Sequence, residues 1–89
     1  MDIANTNQIS TSTCYYLVLQ SRGAWWVERE GRSLGPCQTI DEAINSALSV
    51  VELFGDPQRP AQVWAPDHSG KMKLVWQRAA APQPNSEFG

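Results

Sequence analysis

Most of the residues and patterns that announce a biochemical activity are scarce in this chain. It has one histidine, His68, and two cysteines, Cys14 and Cys37, with no paired spacing among them. A structural zinc site needs four ligands, so no metal is expected. No apolar run approaches the roughly 20 residues of a membrane-spanning helix. Residues 1–13 have neither the basic start nor the apolar middle of a secretory signal. Basic residues are also in deficit, with seven Lys and Arg against nine Asp and Glu and a net charge of −2. Duplex-DNA binders carry a basic surface, and an anionic membrane would repel this chain. Gly31-Arg32-Ser33-Leu34-Gly35-Pro36 lacks the Walker lysine and any dinucleotide-binding spacing, so no phosphate cradle and no cofactor are expected. These gaps point to a cytoplasmic protein whose two cysteines are free thiols, with a Cys14–Cys37 disulfide as the lesser alternative.

What the chain does have is four tryptophans in 89 residues. Each ring can bury ~150–250 Å², which matters in a domain too small for a generous core. The organisation expected is one domain over 14–78. A disordered Asn/Ser/Thr-rich leader precedes it over 1–13, and a disordered Ala/Pro-rich tail follows over 79–89. The terminal Glu87-Phe88-Gly89 reads as appended residues and is set aside.

Cys14 to Gln20 is rich in Tyr, Leu and Val and reads as a first strand. Ser21-Arg22-Gly23 is a turn, and Ala24 to Glu30 is a second strand. Its alternation puts Trp25 and Val27 on one face and Trp26, Glu28 and Glu30 on the other. Charges face solvent, so Trp25 and Val27 point inward and Trp26 outward. Residues 31–36 read as a loop. Thr39 then caps a helix, with Glu42 three residues on to bond back. Ile40, Ala43, Ile44, Ala47, Leu48, Val51 and Phe54 form its apolar stripe, and Gly55 suits a left-handed C-terminal position before Pro57. A strand at 61–65, a turn at Asp67-His68-Ser69-Gly70 and a strand at 71–78 complete the chain. In the last strand Met72, Leu74 and Trp76 share the face turned to the helix.

The fold class expected is α+β, a two-layer ββαββ domain with an antiparallel sheet and one helix packed on one face. Such a domain leaves the other sheet face uncovered. Tyr16, Val18, Trp26, Trp64 and Val75 are the residues expected on it, and an apolar patch of that kind marks an interaction surface.

Trp25, Val27 and Gly31, then Thr39, Glu42 and Ala43, then Asp67 and Gly70 together form a pattern over about Tyr15 to Gln77. In this pattern the chain resembles the bacterial family called domain of unknown function 2188, whose members are short ββαββ chains. The departures are the second tryptophan, Trp26, and the Pro-rich Asp56-Pro57-Gln58-Arg59-Pro60 connection. The resemblance implies a fold and no activity. A second resemblance is to antitoxins of the HicB type, carried by Gly35-Pro36-Cys37-Gln38-Thr39-Ile40-Asp41-Glu42-Ala43. Those RNase H-like domains bind a small toxin ribonuclease. They usually place a third strand before the helix, where Arg32 to Gln38 reads as a poor strand.

Catalytic constellations are absent from this reading. Asp67-His68-Ser69 has the residue types of a hydrolytic triad, but neighbours on one tight turn cannot line up nucleophile, base and orienting group. It reads as a polar hairpin tip. Cys37 precedes a helix N-terminus, yet no second histidine is present to serve it, and a buried thiol is the commoner role. Glu28 and Glu30 read as solvated charges paired across strands with Lys71 or Lys73. The chain is therefore expected to be no enzyme but an interaction module, with itself or another protein as partner. A single-stranded nucleic acid is the alternative, its bases stacked on the aromatics and its phosphates met by Arg22, Lys71, Lys73 and Arg78.

Overall fold

A computed structural model describes residues 12–81; the leader and tail expected at the two ends lie almost wholly outside them. The elements are β1 (Cys14–Ser21), β2 (Ala24–Arg29), β3 (Arg32–Cys37), α1 (Ile40–Phe54), β4 (Ala61–Pro66) and β5 (Met72–Arg78). They form one five-stranded sheet in the order β3-β2-β1-β4-β5, with α1 packed on one face. The α+β class and the two layers are those expected. Two features of the expected arrangement need correction.

The first is a strand more than ββαββ. Residues 32–37 are no loop but β3, antiparallel to β2. Their content is poor for a strand, with Gly35 and Pro36 inside it, and what places them is the turn before. Glu30 and Gly31 both have positive φ, 48° and 83°, as do Arg22 and Gly23 at 55° and 74°. Two-residue loops of this kind have the twist that closes antiparallel hairpins. The second correction is that the sheet is mixed, since β1 and β4 run parallel. Parallel neighbours cannot be joined by a hairpin, and β2, β3 and α1 make the crossover between them.

The core lies between sheet and helix. Tyr16, Val18, Val27 and Val63 are its largest fully buried side chains, with Ala43, Ala47 and Val51 opposing them from α1. The alanines let the helix approach closely, and Trp25, Ile40, Ile44, Leu48, Val50 and Trp76 close the margins. The helix start is capped as its sequence suggests. Thr39 Oγ1 accepts from the Glu42 N–H at 3.1 Å, and Glu42 Oε1 accepts from the Gln38 N–H at 2.6 Å. Its end differs on two counts. Gly55 is not left-handed, with φ −73°. Glycine is required there because a Cβ would stand 2.5 Å from the Val51 carbonyl oxygen. Phe54, part of the apolar stripe by spacing, is 74% exposed beside Leu53 at 73%. The stripe loses its cover one turn before the helix ends.

Two bulges bend the outer strands. In β3 three steps, from Leu34 to Cys37, match two in β2, from Val27 to Trp25. In β5 Trp76 pairs with Val63 while Leu74 pairs with Trp64, leaving Val75 as the extra residue. This bulge breaks the single face expected for β5. Trp76 lies with Val63 on the helix side, and Leu74 with Trp64 on the other.

Candidate functional site: the open sheet face

Side chains paired directly across a ladder share a face, so register decides which residues the helix leaves uncovered. Val18 lies opposite Val27 on the helix side. One residue on, Leu19 lies opposite Trp26, and Leu17 opposite Glu28, both on the open side. Leu17 also neighbours Trp64, and Trp64 neighbours Leu74. Tyr15, Leu17, Leu19, Trp26, Trp64 and Leu74 therefore make a continuous apolar band from β2 to β5.

This band overturns part of the expected face. Tyr16 and Val18 are 1% and 0% exposed and belong to the core. The residues that replace them are their neighbours on the other side of the strand, Tyr15 (51% exposed), Leu17 and Leu19. Trp26 and Trp64 are on the open face as expected. Val75, 43% exposed, stands in the β5 bulge instead of in the band.

Both open-face indoles have their one donor satisfied inside the chain. Trp26 Nε1 donates to the Ser21 carbonyl at 3.0 Å, and Trp64 Nε1 donates to Gln62 Oε1 at 2.8 Å. Each ring can then be covered by an apolar surface without stranding an N–H. Trp26 is seated by Gly35, whose φ is +139°. A Cβ there would fall 3.1 Å from the Trp26 ring and 3.0 Å from the Trp25 carbonyl. Two shallow depressions adjoin the band. One is lined by Leu19, Ser21, Arg22, Trp26, Glu28 and Ser33, and the other by Thr13, Tyr15, Leu17, Glu28, Glu30 and Gly31. Glu28 is common to both.

The cations proposed for nucleic-acid phosphates do not converge on this face. Arg22 is exposed in the first turn and lines the open side. Lys73 pairs opposite buried Ala65, on the helix side. Arg78 pairs opposite Ala61 and donates through Nη2 to the carbonyls of Asp56 (3.1 Å) and Arg59 (3.2 Å). Lys71 is exposed in the β4–β5 turn, at the same end of the sheet as Arg22, but it lies one residue before open-side Met72, so alternation turns it toward the helix side.

Nor do Glu28 and Glu30 pair with Lys71 or Lys73, because β1 and β4 stand between β2 and β5. Glu30 instead accepts from Arg59 Nη2 at 2.7 Å. Arg59 also donates to the carbonyls of Ser12 (2.9 Å) and Thr13 (3.4 Å), tying the chain's entry to the loop before β4. The Arg59 hydrogen bond holds the Glu30 carboxyl below its usual range. A carboxyl depressed by folding stabilises the fold above its unfolded pKa, near 4.3, and that contribution is lost as pH falls through the folded value. For a half-exposed pair it is less than about 1 kcal/mol. In urea titrations, Glu30→Gln should be slightly less stable than wild type at pH 7, with the difference closing as pH falls below about 4.3. A difference that persisted undiminished to pH 2.5 would assign the effect to something other than this ion pair.

The remaining candidates have structural roles. Asp67 Oδ1 accepts from the Ser69 N–H (2.8 Å), the Ser69 hydroxyl (2.7 Å) and the Lys71 N–H (3.0 Å), which clasps the β4–β5 turn. The Ser69 hydroxyl bond leads the causes that hold the Asp67 carboxyl below its ordinary value. Ser69 thus donates to Asp67, with no bond from it to His68. Cys37 is buried with Sγ 3.8 Å from Ser46 Oγ, and Cys14 is buried and free. Among the described residues no group of three or more His, Cys, Asp and Glu is placed to hold a metal. Among them, too, no helix is long and apolar enough to cross a membrane.

Fold and face together define a small two-layer α+β domain with an apolar sheet surface. Comparisons with family models, curated proteins and solved structures give no match for this chain.

Proposed function

We propose that this protein is a non-catalytic interaction module, resident in the cytoplasm, that self-associates through its open sheet face. The observation that carries the reading is the continuous band of Leu17, Leu19, Trp26, Trp64 and Leu74 beside exposed Tyr15. Patches of this extent are unusual on monomers. Five strands at about 4.8 Å spacing and six residues at about 3.4 Å rise make a face of roughly 24 by 20 Å. Allowing for side-chain relief, that approaches the ~800 Å² per partner of a standard interface.

Face-to-face contact is favoured over strand addition because both sheet edges are blunted. β3 carries a bulge and Pro36, which has no N–H to donate. β5 carries its bulge at Val75, with Lys71 just before it and Lys73 within it. The nucleic-acid alternative is weakened by a face that presents Arg22 as its cation and Glu28 as its carboxylate.

The likeness to the 2188 family remains part of this reading, supported by the jobs its motif residues do. Val27 and Ala43 are in the core, Gly31 and Gly70 have positive φ, Thr39 and Glu42 cap the helix, and Asp67 clasps its turn. A second reading, a HicB-type antitoxin that binds a small ribonuclease, gains from β3. That strand supplies the third strand before the helix that such chains usually have. Sedimentation equilibrium at tens of micromolar tests the first reading. Twice the chain mass of 9.9 kDa is expected, and a clean monomer at that concentration would remove it.

A further inference from the structure

We infer that two copies meet about a two-fold axis crossing the strands at Trp26, with each Arg22 meeting the partner's Glu28. The inference rests on the self-association proposed above and adds its geometry.

Glu28 poses the problem. It lies within the apolar face, opposite Leu17 on β1 and Ser33 on β3, and adjoins both depressions. Among the described residues its carboxylate has no hydrogen bond or ion pair within the chain. A second copy laid on this face takes that carboxylate out of water, which is costly unless a cation meets it.

Of the chain's seven cations, six are placed elsewhere. Arg29 lies over the Tyr16 ring on the helix side, and Arg32 pairs opposite Arg29. Lys73 and Arg78 pair opposite Ala65 and Ala61 on the helix side, Arg59 is held by Glu30, and Lys71, one residue before open-side Met72, is turned by alternation toward the helix side. Arg22 is left. It lines the first depression and, among the described residues, has no side-chain partner of its own.

The order along the chain supplies the symmetry. Glu28 lies two residues, about 7 Å, beyond Trp26 along β2. Arg22 lies beyond Trp26 in the other direction, in the turn whose Ser21 carbonyl takes the indole N–H. Cation and carboxylate therefore flank one aromatic ring. A two-fold axis across the strands at that ring exchanges the two ends, pairing Arg22 with Glu28 twice per dimer and stacking Trp26 near its own copy.

Charge reversal tests this directly. Arg22→Glu and Glu28→Arg should each weaken self-association at least about tenfold, because both pairs become like-charged. Glutamate is tolerable at position 22, since Glu30 already occupies the matching place of the second turn at φ 48°. Mixing the two variants should restore association to near wild type, because the mixed dimer contains two opposite-charge pairs. Native mass spectrometry would show mixed dimers in excess of either homodimer. If the mixture associates no better than the separate variants while wild type dimerises and Trp26→Ala does not, the axis is wrong and the face reading stands. A monomeric wild type overturns both.

Discussion

Tyr16→Ala should remove about 3–5 kcal/mol of folding stability, while Tyr15→Ser, one position away, should change it by less than about 1 kcal/mol. Tyr16 is 1% exposed and the largest of the fully buried side chains, whereas Tyr15 is 51% exposed on the open face. Domains of this size have roughly 5–15 kcal/mol in total, and the smallest sit at the low end. The Tyr16 variant should therefore be close to unfolded at 25 °C, with the Arg29 guanidinium also left without the ring it lies over. Urea midpoints for the two variants decide the matter. Equal losses, or a larger loss at Tyr15, would mean that β1 is turned over and that the open face is assigned to the wrong residues.

The second large effect concerns association. Trp26→Ala should weaken the dimer by at least ~2 kcal/mol, or about 30-fold in dissociation constant, as expected for an indole at the centre of an interface. Leu53→Ser with Phe54→Ser is the control. These are the most exposed large apolar residues described, and they belong to the end of α1, on the other layer. Their replacement should leave the dissociation constant within about twofold. If the helix pair weakens the dimer and Trp26→Ala does not, association runs through the helix end and the sheet face has another use.

How far the sequence leads can be seen strand by strand. β2 alternates cleanly, so Val27 inward and Trp26 outward follow from charge alone, and both hold. β1 is Cys-Tyr-Tyr-Leu-Val-Leu-Gln-Ser, apolar on both faces, and alternation cannot orient it. The missing signal lies in the turn. A two-residue loop at Arg22-Gly23 sets Ser21 opposite Ala24, and counting back puts Val18 opposite Val27 and Leu19 opposite Trp26. Reading the loop length as register would have moved Tyr16 and Val18 into the core. The same loop chemistry recurs at Glu30-Gly31 and would have announced β3 despite Gly35 and Pro36. The β5 bulge is less accessible. Met72, Leu74 and Trp76 look like one face, and only pairing with β4 shows the extra residue at Val75. The ion pair of Glu30 with Arg59 joins residues 29 apart through a loop whose path no local pattern specifies.

The central claim is that a second copy covers the sheet face opposite α1. Intermolecular contacts measured by isotope-filtered NMR, in a mixture of labelled and unlabelled chains, test it most directly. The account predicts contacts between copies from the Trp26 indole to Leu19 methyl groups and to Trp26 itself. Intermolecular contacts confined to Leu53 and Phe54, or none at concentrations where the open-face methyl groups remain in water, would contradict it.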